Sequence, residues 1–352
     1  DMQNRSPWER GLFLATVGQV QARTSWATSL LAHEYAHFAN AHRFGLTEHY
    51  FVDEVTGEQF DFAEAWMRTF LHGDPGGPAF SGLDGEPLDY ELDAEEGIER
   101  SLAGLNWQMS YSEMRLRGWL SGERRTIFDL PDMFMNRIYL LSYSLGSHME
   151  INGSSWGGDP GRFIKVMEEE HGEEDVSEKM ILTALAGNIA STSLTQMTGG
   201  ITGYIRDGEM EVVPHSKRFR TNQEFFWDVP QYLNKNNMSV SPTVYWLPSD
   251  NLRHAVSADN LLVGVSFEKS VFGVNNKEAR VTIDGSWHDF GLNAGLSLGS
   301  EGSYLDIRAN YQLSDHAALT AGMGHTSGET MRGARELPDA DSLIWFGANF
   351  SF

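Results

Sequence analysis

The chain has 352 residues, 41% of them hydrophobic, which is enough length and apolar content for two ordinary domains with proper cores and excludes a disordered segment. Its formal net charge of −23 argues against a nucleic-acid-binding protein, which needs a basic face. With no cysteine, disulfides, cysteine zinc sites and thiol nucleophiles are excluded as well.

The sequence opens on Asp1, and no basic start with an apolar core and a cleavage site follows. A mature terminus after leader removal and an internal start both stay open. The first long apolar stretch, 12–32, is broken by Gln19, Gln21 and Arg23, too polar for a lipid-spanning helix. Its second half, from Trp26 to Ala32, is rich in helix formers, and Phe38, Ala39, Ala41 and Phe44 carry the helix on to a stop at Gly45.

Inside that helix lies His33-Glu34-Tyr35-Ala36-His37. Two imidazoles four residues apart share one helix face and can take two corners of a tetrahedral zinc site. The glutamate between them can serve as general base toward a water that the metal activates. A polar triplet in a largely buried helix would be costly unless metal or hydrogen bonds satisfied it, and this favours zinc over two idle histidines.

The stretch from Leu30 to Gly45 resembles the active-site helix of the site-2 protease family, with its aliphatic lead-in and its Arg43-Phe44-Gly45 ending. The resemblance implies peptide-bond hydrolysis and a third ligand from a distant aspartate, commonly in Leu-Asp-Gly. Leu83-Asp84-Gly85 has those letters, but the acidic run that follows it replaces the family's apolar membrane helix. Asn106, in Ala103-Gly104-Leu105-Asn106, resembles the family's glycine and asparagine region that binds substrate backbone.

The residues themselves leave the third ligand open. A metzincin-type histidine would stand six residues after His37, where the chain has Arg43, and His42 lies about 140° round the helix from His37. Glu96 and Glu99 could serve from a second helix, although their acidic surroundings suit a solvated surface. Asp159 is the preferred candidate, because Trp156-Gly157-Gly158-Asp159-Pro160 sets it at a glycine-rich bend ahead of a helix. Its rival role is helix capping, with Pro160 at the first helical position. His148 and Glu150 are further alternatives. The acidic runs 84–99 and 168–178 lack the spaced Asp and Gly of a calcium loop. The other long apolar stretch, 180–205, is interrupted by Asn188, Ser191, Thr192 and Gln196, which again argues against a lipid-spanning helix.

Near residue 205 helical periodicity gives way to period-2 alternation. Leu305, Ile307, Ala309, Tyr311 and Leu313 alternate with Tyr304, Asp306, Arg308, Asn310 and Gln312. Leu292, Ala294, Leu296 and Leu298 repeat the pattern, as do Val263, Val265 and Phe267. Strands are predicted over 238–247, 259–272, 277–284, 286–298, 302–313, 316–327 and 341–352, with an eighth between 208 and 233. Turns are expected at Asp284-Gly285, Asn275-Asn276, 299–303 and Ser314-Asp315.

The last strand carries Ile344, Phe346, Ala348, Phe350 and Phe352, and it resembles the C-terminal strand of bacterial outer-membrane β-barrels, whose final phenylalanine the barrel-insertion machinery reads. Polar residues on one face and Trp246, Trp287, Tyr311 and Trp345 as girdle residues fit a small barrel.

The expected architecture is therefore α+β and multidomain: a helical zincin-like hydrolase domain, 1–205, followed by an antiparallel transmembrane β-barrel of about eight strands, 206–352. The expected function is a zinc metalloprotease in the bacterial outer membrane, with zinc on His33, His37 and Asp159, Glu34 as base, Asn106 on the substrate, and a protein or peptide substrate. The alternatives are a zinc amidase acting on envelope lipid or glycan, and a structural or adhesion protein whose zinc only supports folding.

Overall fold

The computed structural model describes residues 3–43, 47–52, 59–72, 77–81, 94–121, 126–127, 129–153, 159–210, 217–218, 223–314, 317–329 and 342–350. Helix α1 (Pro7–Arg43) starts on a capping box. Ser6 Oγ accepts from the Glu9 N–H at 3.3 Å, Glu9 Oε2 accepts from the Ser6 N–H at 2.8 Å, and Pro7 takes the first helical position.

A small unit follows, in a region where the sequence predicts no strands. Strands β1 (Thr47–Val52) and β2 (Gln59–Phe60), helix α2 (Phe62–His72) and strand β3 (Gly77–Ser81) build an antiparallel sheet of order β2-β1-β3 with α2 beside it. Leu31 of α1 packs there with Phe51, Ala65 and Trp66.

Five more helices come next: α3 (Ala94–Ser121), α4 (Leu130–Gly153), α5 (Asp159–Glu169), α6 (Val176–Ala190) and α7 (Thr192–Asp207). The single extended residue Ser191 breaks α6 from α7, and its hydroxyl accepts from the Ser193 N–H. Gly208, at φ 77°, ends α7 in the left-handed conformation that glycine adopts without penalty.

The remainder is strand: β4 (Lys217–Arg218), β5 (Glu224–Asp228), β6 (Gln231–Asn234), β7 (Asn237–Val240), β8 (Thr243–Leu247), then the short helix α8 (Asp250–Ala255). The long strands β9 (Asn260–Gly273), β10 (Lys277–Trp287), β11 (Phe290–Gly299), β12 (Glu301–Ser314), β13 (Ala317–Glu329) and β14 (Ser342–Phe350) complete it. The predicted strands from 259 onward recur with boundaries shifted by a few residues, all antiparallel to their neighbours.

Two expectations need correction. The strands do not close into an eight-stranded barrel. Among the described residues they form an open sheet of 11 strands, running β14-β13-β12-β11-β10-β9-β8-β5-β4 with β6 and β7 attached beside β9. An eight-stranded barrel has room only for its own side chains, whereas here one sheet face has to receive helices. The turn at Asp284-Gly285 is also displaced. Both residues pair within β10, and the hairpin turns at His288-Asp289, with His288 at φ 51°. Asp284 is held in the strand by Arg117 of α3, whose Nε and Nη2 donate to its two oxygens at 2.9 and 2.8 Å.

Helices and strands share both large cores, so the change of character near 205 does not separate two cores. One core joins Leu105 and Met109 of α3, Phe163 and Ile164 of α5 and Met180 of α6 to Tyr232, Leu233, Met238 and Phe272 from the sheet. The other joins Leu116, Trp119 and Leu120 of α3 and Tyr204 of α7 to Phe226, Tyr245 and Leu262. Each such side chain contributes about 1.5–3 kcal/mol on burial.

The inner face of the sheet is polar where helices do not cover it: Arg280 Nη2 meets Asp306 Oδ1 at 2.5 Å, and Arg280 Nη1 donates to Ser297 Oγ at 3.2 Å. On the outer face Val244, Val265, Val281 and Leu296 lie side by side in register and are each roughly half exposed. A second row aligns Val263, Ile283, Ala294, Ile307, Met323 and Ile344.

Candidate metal centre

Helix geometry places His33 and His37 one turn apart on α1, and both imidazoles are buried. Their Nε2 atoms face each other at 3.0 Å, with the rings nearly perpendicular at 79°. The pocket is completed by α3 and α4. On α3, a Cβ added to Gly104 would stand 2.5 Å from His33 Nε2, so this position excludes every other residue while the imidazole keeps its place. On α4, Tyr143 stacks on His33 with ring centroids 5.2 Å apart and planes 13° from parallel, and Tyr139 lies next to it against Trp26.

A chain of hydrogen bonds with a fixed direction sets the His33 tautomer. Asn136 donates its amide to the Asp132 carbonyl at 2.8 Å, which turns its Oδ1 toward the Ser29 hydroxyl as acceptor. Ser29 Oγ then accepts from Gln108 Nε2 at 3.2 Å, so Gln108 Oε1 is left to accept from His33 Nδ1 at 2.8 Å. His33 therefore carries its proton on Nδ1 and presents a lone pair at Nε2, toward His37. This is the second-sphere support that metal-ligating histidines have. The 3.0 Å contact is then a hydrogen bond that His37 Nε2–H donates to this lone pair, and a zinc ion that displaced the proton could take both nitrogens.

Glu34 is half-buried beside this pair. Burial pushes the Tyr139 hydroxyl above its usual range, Ser29 and Gln108 oppose the rise, and the charge of Glu34 adds to it. Tyr139 is thus held as a neutral hydroxyl, able to donate a proton but unsuited to act as a base.

The other candidates are scattered. Asp159 is the first residue of α5, a helix packed on α3 and α4, and its side chain lies outside the described residues. Glu96 and Glu99 lie in the first turns of α3 and Glu150 near the end of α4, also with side chains outside the described residues, and Asp84, Trp345 (side chain) and Phe352 lie outside them too. His148 Nδ1 pairs with Ser177 Oγ at 3.0 Å, toward α6. Among the described residues no group of three His, Cys, Asp or Glu side chains converges. Asn106 does bracket a peptide backbone, but it is the chain's own: its amide donates to the Leu233 carbonyl at 2.6 Å and its Oδ1 accepts from the Leu233 N–H at 3.1 Å. Gly104 and Gln108, four apart and so on one face of α3, point to α1, while Asn106 points to β6.

Sequence reasoning missed Gln108, Ser29, Asn136 and the role of Gly104. The one available signal was a glycine four residues before a glutamine within a helical stretch. Gln108→Leu is expected to weaken zinc binding by about 10–100-fold, because it frees the His33 ring and its tautomer. Competition with a chromogenic chelator measures this, and an unchanged affinity would remove Gln108 from the site.

Comparison with known proteins returns no matching family model, no matching curated protein and no matching solved structure.

Proposed function

We propose that this chain is a zinc-dependent peptidase anchored in the bacterial outer membrane. The observation that carries the reading is the convergence of the His33 and His37 Nε2 atoms at 3.0 Å, with His33 oriented from behind by Gln108. His33 and His37 would hold zinc, and Asp159 is the first candidate for a third ligand. Zinc, when bound, polarises a scissile carbonyl and lowers the pKa of water to near ~7. Glu34 then takes the proton of the attacking water and delivers it to the leaving amine. Gly104 and Tyr143 keep the His33 ring in place, and Gln108 keeps its Nε2 lone pair facing the metal.

The test is metal content. The purified chain should carry about one zinc, and His37→Ala should lose it on dialysis, since one protein ligand in three is gone. Equal zinc in both proteins would end the reading. Cleavage of envelope amides without cleavage of a casein-like protein would change the substrate class and leave the chemistry.

The outer face of the sheet supports the membrane part. Hydrophobic rows that run across four and six strands fit acyl chains better than water. If Leu296 lies near the bilayer midplane, Leu296→Arg should cost about 2–4 kcal/mol, whereas a charge at Asn293 on the opposite face should cost much less. Unfolding by denaturant in lipid measures both, and equal costs would remove the membrane reading.

A further inference from the structure

Helix α6 turns its large apolar side chains outward, and α7 continues it without a charge as far as Ile205. Between Lys179 and Arg206 the chain holds no charged residue, and Asn188, Ser191, Thr192, Ser193 and Gln196 are buried, while Thr195, Thr198 and Thr202 of α7 are exposed. After Glu178 in its first turn, the outward positions of α6 are apolar, with Leu182 65% and Ile189 64% exposed and Leu185 between them. On α7 the exposed Thr198 and Thr202 return their hydroxyls to the helix, to the carbonyls of Leu194 and Thr198 at 2.9 and 2.8 Å. Their hydrogen bonds need no water.

A surface facing water has no reason for this arrangement, since it exposes leucine and isoleucine while burying serine, asparagine and glutamine. A surface facing acyl chains suits it, because leucine and isoleucine are at home there and the hydroxyls of Thr198 and Thr202 are satisfied from within. The corner is also continuous with the sheet's outer face. The Trp227 indole donates to the Ala190 carbonyl at the end of α6, at 2.8 Å, and Trp227 heads the register row Val244, Val265, Val281, Leu296. No helix among the described residues is long and apolar enough to cross a membrane by itself, but α6 and α7 do not stand alone. Their 15 and 16 residues span about 22–24 Å, close to the roughly 25 Å apolar band of an outer membrane.

We propose that the α6–α7 corner contacts lipid acyl chains and extends the sheet's apolar belt. The helical part would then sit at membrane depth, and α4, which carries Tyr139 and Tyr143, would lie directly behind this lipid-facing helix. This rests on the membrane reading of the sheet, and one experiment separates the two. The chain has no cysteine, so single cysteines can be labelled cleanly in the full-length protein. Leu185→Cys, Ile189→Cys and Thr198→Cys, with Val265→Cys and Val281→Cys on the sheet and Asp207→Cys as the aqueous reference, would carry an environment-sensitive fluorophore. The proteins go into phosphatidylcholine–phosphatidylglycerol vesicles with or without brominated acyl chains, after circular dichroism has confirmed the fold. Labels at 185, 189 and 198 should be quenched by brominated lipid as strongly as those at 265 and 281, and the label at 207 should not be. Quenching at 265 and 281 with none at 185, 189 and 198 overturns the corner proposal and leaves the sheet in the membrane. No quenching at any of the five overturns the membrane reading together with this one.

Discussion

Glu34→Gln is expected to lower turnover by at least ~100-fold while zinc content and the far-ultraviolet circular dichroism spectrum stay as in the parent protein. The amide keeps the shape of the carboxylate but cannot take a proton from water. Glu34 is half-buried next to His33 and near enough to Tyr139 for its charge to bear on that hydroxyl, so it sits among the groups around the histidine pair. Turnover of a fluorogenic peptide, read beside metal analysis of the same sample, decides the matter. Full activity would make Glu34 an ordinary helix residue and assign the base to another group.

The largest effect on stability is expected at Arg137 and Asp228. Their side chains are 1% and 0% exposed, and Arg137 Nη2 meets Asp228 Oδ1 at 2.5 Å, joining α4 to β5. The Ser191 hydroxyl, at the break between α6 and α7, donates to the same oxygen. Removing one charge strands the other in a dry interior, so Arg137→Met and Asp228→Asn should each cost about 3–5 kcal/mol. The double variant Arg137→Met/Asp228→Leu should recover much of that loss, because no unpaired charge remains. Urea unfolding of the purified chains gives the three values. Single variants that lose less than ~1 kcal/mol would show water reaching the pair.

The parts of the molecule that the sequence announced are those whose signal is local. His33, Glu34 and His37 lie within five residues, and the strands from β9 to β14 alternate so regularly that the period-2 pattern located the strands to within a few residues and the turns at 275–276 and near 300. Asp284-Gly285 misled, because its turn propensity yields to a bidentate contact from Arg117, far away in sequence. The strands β1 to β3 went unseen since six, two and five residues are too short for alternation to register. Gln108, Ser29 and Asn136 come from three helices and meet only once those helices pack. In the stretch 180–205 Asn188, Ser191, Thr192 and Gln196 read as interruptions of a hydrophobic run, and only the exposure pattern reveals that these four are buried.

Helix α3 has a consequence for the order in which the molecule assembles. It supplies Gly104 and Gln108 to the histidine pocket, yet three of its other residues are moored to strands made much later. Asn106 holds Leu233 across 127 residues of chain, Glu113 receives the Tyr232 hydroxyl across 119, and Arg117 grips Asp284 across 167. Closing loops of that size costs entropy that local helix formation does not repay, so these contacts belong to the late, slow part of folding. When the ribosome has finished residue 207, Ser29 of α1 and Asn136 of α4 are in place to orient Gln108, but α3 still lacks the strands it leans on. The final seating of α3, and of Gly104 and Gln108 against His33, is therefore timed by the sheet.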